Sequence, residues 1–212
     1  LRRNTKLLPR IVNVLSTLVF LFVVVNFLTG WLGASPLRTT HLWTGRIAFM
    51  FLLASLTITP LRTVTGWSII IPLRKTFGLN SFYWAFAHVL VFMLLIYRLD
   101  VPTIVEAFTY NRFIFAGAFA FIILIVLAFT TIPPVKKAVK KIWRKIHMWV
   151  YPANVLVLLH YSGATSGGEG IKPLALISAG YLALLFILRL SPVKKAIIAR
   201  RQGGRQIDTS SN

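Results

Sequence analysis

The chain contains no cysteine, so disulfides, thiolate-held iron–sulfur clusters and thiolate zinc sites are excluded within it. Acidic side chains are nearly missing too. Four Asp and Glu stand against 24 Lys and Arg, for a net charge of +20. Charged residues make up only 13% of the 212, where a soluble domain carries about 25%. That shortage, with a hydrophobic share of 57%, rules out a water-soluble globular fold and makes the bilayer the solvent. There is no flavin fingerprint, no evident internal repeat and no connection long enough for a folded extramembrane domain. A catalytic or flavin-bearing module would therefore be a separate polypeptide.

What the chain has instead is apolar runs. About 20 apolar residues cross a hydrocarbon core of roughly 30 Å, and six stretches approach that length: residues 11–28, 43–61, 77–97, 113–132, 146–161 and 174–190. The expected fold is all-α, a six-helix bundle in the membrane occupying residues 11–190. Residues 1–10 precede it and a basic tail, 191–212, follows, polar enough toward its end to be disordered. The first run has basic flanks like a signal peptide, but its apolar length favours a retained anchor. Pro60 is expected to close the second span, Pro72 to open the third, and Pro133 and Pro134 to end the fourth. Residues 29–40 and the glycine-rich 162–170 read as outer loops.

In a soluble protein the charge of +20 would point to nucleic acid, but here the cations alternate from loop to loop. Arg2, Arg3, Lys6 and Arg10 precede the first span, and Arg62, Arg74 and Lys75 follow the second. Lys136, Lys137, Lys140, Lys141, Arg144 and Lys145 follow the fourth, and Arg189, Lys194, Lys195, Arg200, Arg201 and Arg205 cluster after the sixth. Arg38, Arg46, Arg98, Arg112 and Lys172 fall on the other side. The positive-inside rule then puts both termini in the cytoplasm, with anionic lipid as the partner of the basic loops and no role for nucleic acid. Trp31, Trp43, Trp143 and Tyr161 fit an interfacial aromatic belt.

Three of the four histidines lie in or at the rim of these runs: His88, His147 and His160. An ionisable ring at that depth is a functional hypothesis by default, and imidazole is the common protein ligand of haem iron. A lone histidine is as often a hydrogen-bond partner between helices, but three on two parallel helices favour ligation. At 1.5 Å per residue His147 and His160 lie about 20 Å apart along the axis. This puts one near each membrane surface and makes His88 and His160 the facing pair. Phe82, Trp84, Phe86, Val89, Val155 and Leu159 are the candidate walls of a macrocycle slot.

The second site is less complete. The residue fourteen before His88 is Arg74, within roughly 40° of the same helix face, suited to pair a haem propionate rather than to ligate iron. His147 and His160 would sit about 140° apart on a straight helix, and Pro152 lies between them as a possible break. Arg46 either snorkels to headgroups or meets a haem propionate. His41 offers an interfacial hydrogen bond or a quinone contact.

The runs GASPLRTTHLWTGRIAFMFLLASLTITPL at 33–61, RKTFGLNSFYWAFAH at 74–88 and WRKIHMWVYPANVLVLLHY at 143–161 closely resemble the MsrQ family, haem-binding membrane subunits of the bacterial periplasmic methionine-sulfoxide reductase system. More distantly, His88 with His147 and His160 resembles the ferric-reductase transmembrane domain, which often has a fourth histidine where this chain has Arg74. The resemblance implies one or two b-type haems on His88, His160 and His147, and an FMN of unassigned site. It implies electrons drawn from the quinone pool or a cytoplasmic flavin reductase, and delivery to a periplasmic molybdopterin enzyme that carries out the repair of oxidised methionine. The location implied is the bacterial inner membrane. Two other readings fit the residues: a stand-alone ferric or cupric reductase, and a non-redox transporter or assembly protein whose histidines carry protons or hold helices.

Overall fold

The computed structural model describes residues 6–31, 35–166 and 173–210, so Arg2, Arg3, Lys172 and parts of both expected outer loops lie outside the described residues. Among the described residues ten α-helices follow one another: α1 (Leu7–Thr29), α2 (Pro36–Thr65), α3 (Leu73–Leu90), α4 (Val101–Tyr110), α5 (Arg112–Phe129), α6 (Pro133–Ala138), α7 (Trp143–His147), α8 (Val150–Ser166), α9 (Pro173–Ile187) and α10 (Ser191–Ser210). No strand occurs among the described residues. Four helical segments are long and apolar enough to cross a membrane, namely α1, α2, α3 with its extension to Ile96, and α5. A fifth is added if α9 and α10, bent by 73°, form one broken span. The chain is therefore a multi-pass membrane protein. At 17 residues α8 reaches only about 26 Å, which is why six full-length spans are not met by length alone.

Local chemistry sets the boundaries. Pro36 occupies the first turn of α2, where its missing N–H costs nothing, so that helix starts earlier than the apolar run and carries His41 on its shaft. Gly30 and Gly66, at φ 68° and 79°, close α1 and α2 in the left-handed conformation. Past Leu90 the third helix loosens into a π-helical turn, Val91–Ile96. Arg98 and Leu99, also at positive φ, then swing the chain into α4, an extra short helix that the hydropathy pattern did not announce.

The bundle is built on two intimate helix pairs, α2 with α3 and α5 with α8. Between them Leu52 and Leu56 of α2 meet Leu124 and Leu127 of α5, Val150 of α8, and Leu182 and Leu185 of α9. Helix α1 stands at the edge, with only Ser16, Val23 and Asn26 buried. It is held by interhelical polar contacts worth about 0.6 kcal/mol each inside a bilayer: the Trp84 indole N–H donates to Ser16 (2.9 Å) and the Asn80 amide to Asn13 (2.9 Å).

One expectation is corrected here. Pro60 does not close the second span; it lies inside α2, which continues to Thr65. A proline there deprives the carbonyl four residues earlier of its donor, and that carbonyl, of Leu56, instead accepts from the Arg189 guanidinium. Arg189 also lies over the Tyr151 ring at 5.3 Å. The first part of the basic tail lies in α10, whose half-buried Val193, Ile197, Ile198 and Arg201 share one face. There Arg201 donates to the Thr63 carbonyl at 3.3 Å, at the end of α2.

Replacing Arg189 by Met should lower stability in detergent by about 1–3 kcal/mol, the cost of an unsatisfied buried carbonyl. Adding Pro60→Ala should recover most of it, because the new backbone N–H reaches Leu56. Thermal unfolding of the single and double variants checks this, and the absence of rescue would separate Arg189 from the proline.

Candidate functional site

Near the start of α2 and the ends of α3 and α8, the structure brings three imidazoles together. The His88 ring lies edge-to-face with His160, centroids 6.1 Å apart at 79°, and flat against His41 at 4.1 Å and 19°. His88 Nδ1–H donates to the backbone carbonyl of His41 at 3.0 Å, with the Thr44 hydroxyl 3.4 Å away. His160 Nδ1–H donates to the Phe113 carbonyl of α5 at 2.9 Å. Each bond fixes a tautomer, leaving Nε2 with its lone pair free. This is the arrangement in which metal-binding histidines are usually held.

A metal–imidazole bond is about 2 Å, so two rings on opposite sides of one metal have centroids about 6 Å apart, and the His88–His160 separation is compatible with that. His41 contributes differently: its carbonyl anchors His88, whereas its own Nδ1 is buried without a partner.

The third candidate sits at the opposite, cation-rich end. The helical stretch that carries His147 and His160 is interrupted at Met148 and Trp149, between α7 and α8, and not at Pro152. Pro152 falls in the first turn of α8, where it needs no donor. The angular conflict between His147 and His160 therefore disappears, because no straight helix joins them. His147 stacks on Trp143, centroids 3.9 Å apart, and its Nδ1–H donates to the Trp143 carbonyl at 3.1 Å. All three candidate ligands thus expose Nε2.

His147 borders a cavity of about 600 Å³ whose lining includes Arg74, Lys75, Lys136, Arg144, Trp143 and Tyr151. Four cations and no carboxylate, on otherwise apolar walls, suit a flat apolar ligand with acidic groups. Neither His88 nor His160 reaches this cavity. Arg74 does line it, on the side of His147. Arg46, by contrast, is exposed on α2. Of the expected slot walls, Trp84 turns to α1, while Phe86, Val155 and Leu159 are exposed. Phe82 and Phe86 instead stack on Phe121 of α5.

Trp143 carries a role that sequence reasoning missed. Its belt-like position hid a structural role, since the indole N–H donates to the Thr130 carbonyl at 3.1 Å, an acceptor that Pro134, four residues on, cannot serve. Lys136 lies over its ring at 4.9 Å. The signal was available as the pair of prolines before a tryptophan and a histidine four residues apart.

Among known families, residues 50–158 match the ferric reductase like transmembrane component, about half of the chain. The match contains Arg74, His88 and His147 and stops two residues before His160.

Trp143→Phe keeps a ring under His147 but loses the bond to Thr130, and should cost about 0.5–1.5 kcal/mol; Trp143→Ala should cost more, about 3 kcal/mol. Equal costs, measured by thermal unfolding, would show that the stack contributes nothing.

Proposed function

The chain belongs to the ferric reductase like transmembrane component family, and we propose that within it this protein is a b-type haem membrane subunit that passes electrons outward across a bacterial inner membrane. The donor is the quinone pool or a cytoplasmic flavin reductase, and the acceptor a separate periplasmic molybdopterin methionine-sulfoxide reductase. The observation that carries the reading is the shared state of His88, His160 and His147, each tied through Nδ1 to a backbone carbonyl with Nε2 left to bind.

The haem assignments proposed here are supported by that geometry. His88 and His160 would hold one haem, and His147 a second at the cation-rich end. There Arg74, Lys75, Lys136 and Arg144 would pair its propionates. When bound, haem supplies an iron that exchanges one electron at a time. The chain's own part is to orient the imidazoles and exclude water between the two ends. FMN is attributed on the family likeness alone, with no residue assigned. His41, flat against His88, is the natural contact for a quinone or for the outer edge of the site. In this reading the cation-rich end and both termini face the cytoplasm, and α8 and the α9–α10 segment complete six spans, short helices being accommodated by local bilayer thinning.

Protein purified after expression with ample haem should show a b-type Soret band. His88→Ala and His160→Ala should each remove the same part of it, and His147→Ala a different part. A chain free of haem would sink the proposal. Electron delivery to a purified periplasmic molybdopterin partner, lost in the same variants, separates this role from that of a self-contained metal reductase.

A further inference from the structure

The anchors of His88 and His160 are the same device made twice. His88 donates to the carbonyl of residue 41 and His160 to that of residue 113, both across 47 positions. One helical turn after each carbonyl stands a glycine, Gly45 on α2 and Gly117 on α5. A Cβ on Gly45 would lie 2.9 Å from His88 Nδ1 and Cε1, and one on Gly117 would lie 2.6 Å from His160 Nδ1 and 2.9 Å from its Cε1. In a helix the N–H of residue i+4 points at the carbonyl of residue i. A ring sharing that carbonyl therefore rests on the surface of residue i+4, which only glycine leaves bare.

Each element recurs after the same 72 positions: 41 to 113, 45 to 117, 88 to 160. Buried partners follow the same shift, Ala48 to Ala120, Leu52 to Leu124 and Ser81 to Ala153. The repeat that was not evident in the sequence is thus present in the structure, as two helix pairs, α2–α3 and α5–α8.

We propose that Gly45 and Gly117 are equivalent positioning residues of a duplicated imidazole cradle. Each sets the depth and the tautomer at which its histidine presents Nε2. The haem consequences rest on the reading given under Proposed function; the cradle itself does not. With the methyl of alanine in place, the ring must withdraw from its carbonyl, loosening the Nδ1 bond and tilting Nε2. Partners of this kind are worth about 10-fold to 100-fold in metal affinity.

The test uses Gly45→Ala, Gly117→Ala and, as control, Gly180→Ala, whose Cβ would meet nothing within 4 Å. The first two should weaken haem retention about 10-fold to 100-fold and shift the ferric electron paramagnetic resonance signal in the same direction, while the control matches the parent. Unchanged signals in both would overturn the proposal. A second measurement needs no haem: thermal stability of Gly117→Ala alone and combined with His160→Ala. If the glycine serves the ring, removing the ring removes the penalty of the methyl. An equal penalty in both backgrounds would assign the glycine to helix packing and overturn the cradle, whether or not the protein binds haem.

Discussion

A helix carbonyl that accepts a second hydrogen bond, from an imidazole on the neighbouring helix, is the constraint on which the arrangement depends. Buried in a bilayer, Nδ1–H has no water to turn to, and leaving it unpaired costs several kcal/mol. Tying it to the backbone meets that demand and simultaneously decides which nitrogen is free. For His88 and His160 the acceptor comes from another helix, so the bond also sets how closely α2 approaches α3 and α5 approaches α8. For His147 the acceptor lies one turn back on its own short helix, and position is supplied by the Trp143 ring.

Proline creates the complementary problem, an acceptor without a donor. At Leu56 the Arg189 guanidinium answers it, and at Thr130 the Trp143 indole does. Both repairs come from distant segments, so breaks in helical bonding become cross-links of the bundle. The first fastens the turn between α9 and α10 to α2. The second places the platform on which His147 rests.

The fold class was legible because it follows from composition: long apolar runs with almost no acidic residues leave little but membrane helices. The candidate ligands were legible as candidates because a ring such as His88 is conspicuous in an apolar run. Backbone carbonyls and missing side chains leave no such mark. Gly45 and Gly117 read in the sequence as ordinary small residues of membrane helices, and the 72-position repeat is masked because most paired positions need only be apolar. Pro60 misled for a related reason, since its compensating partner, Arg189, is over a hundred residues away.

The interruption between α7 and α8 means that the two ends of the molecule are built differently. His160 sits in the closely packed α5–α8 pair, whereas His147 stands on a five-residue helix set off by Met148 and Trp149. Substitutions in that short segment therefore fall first on the surroundings of His147 and reach those of His160 only through α8.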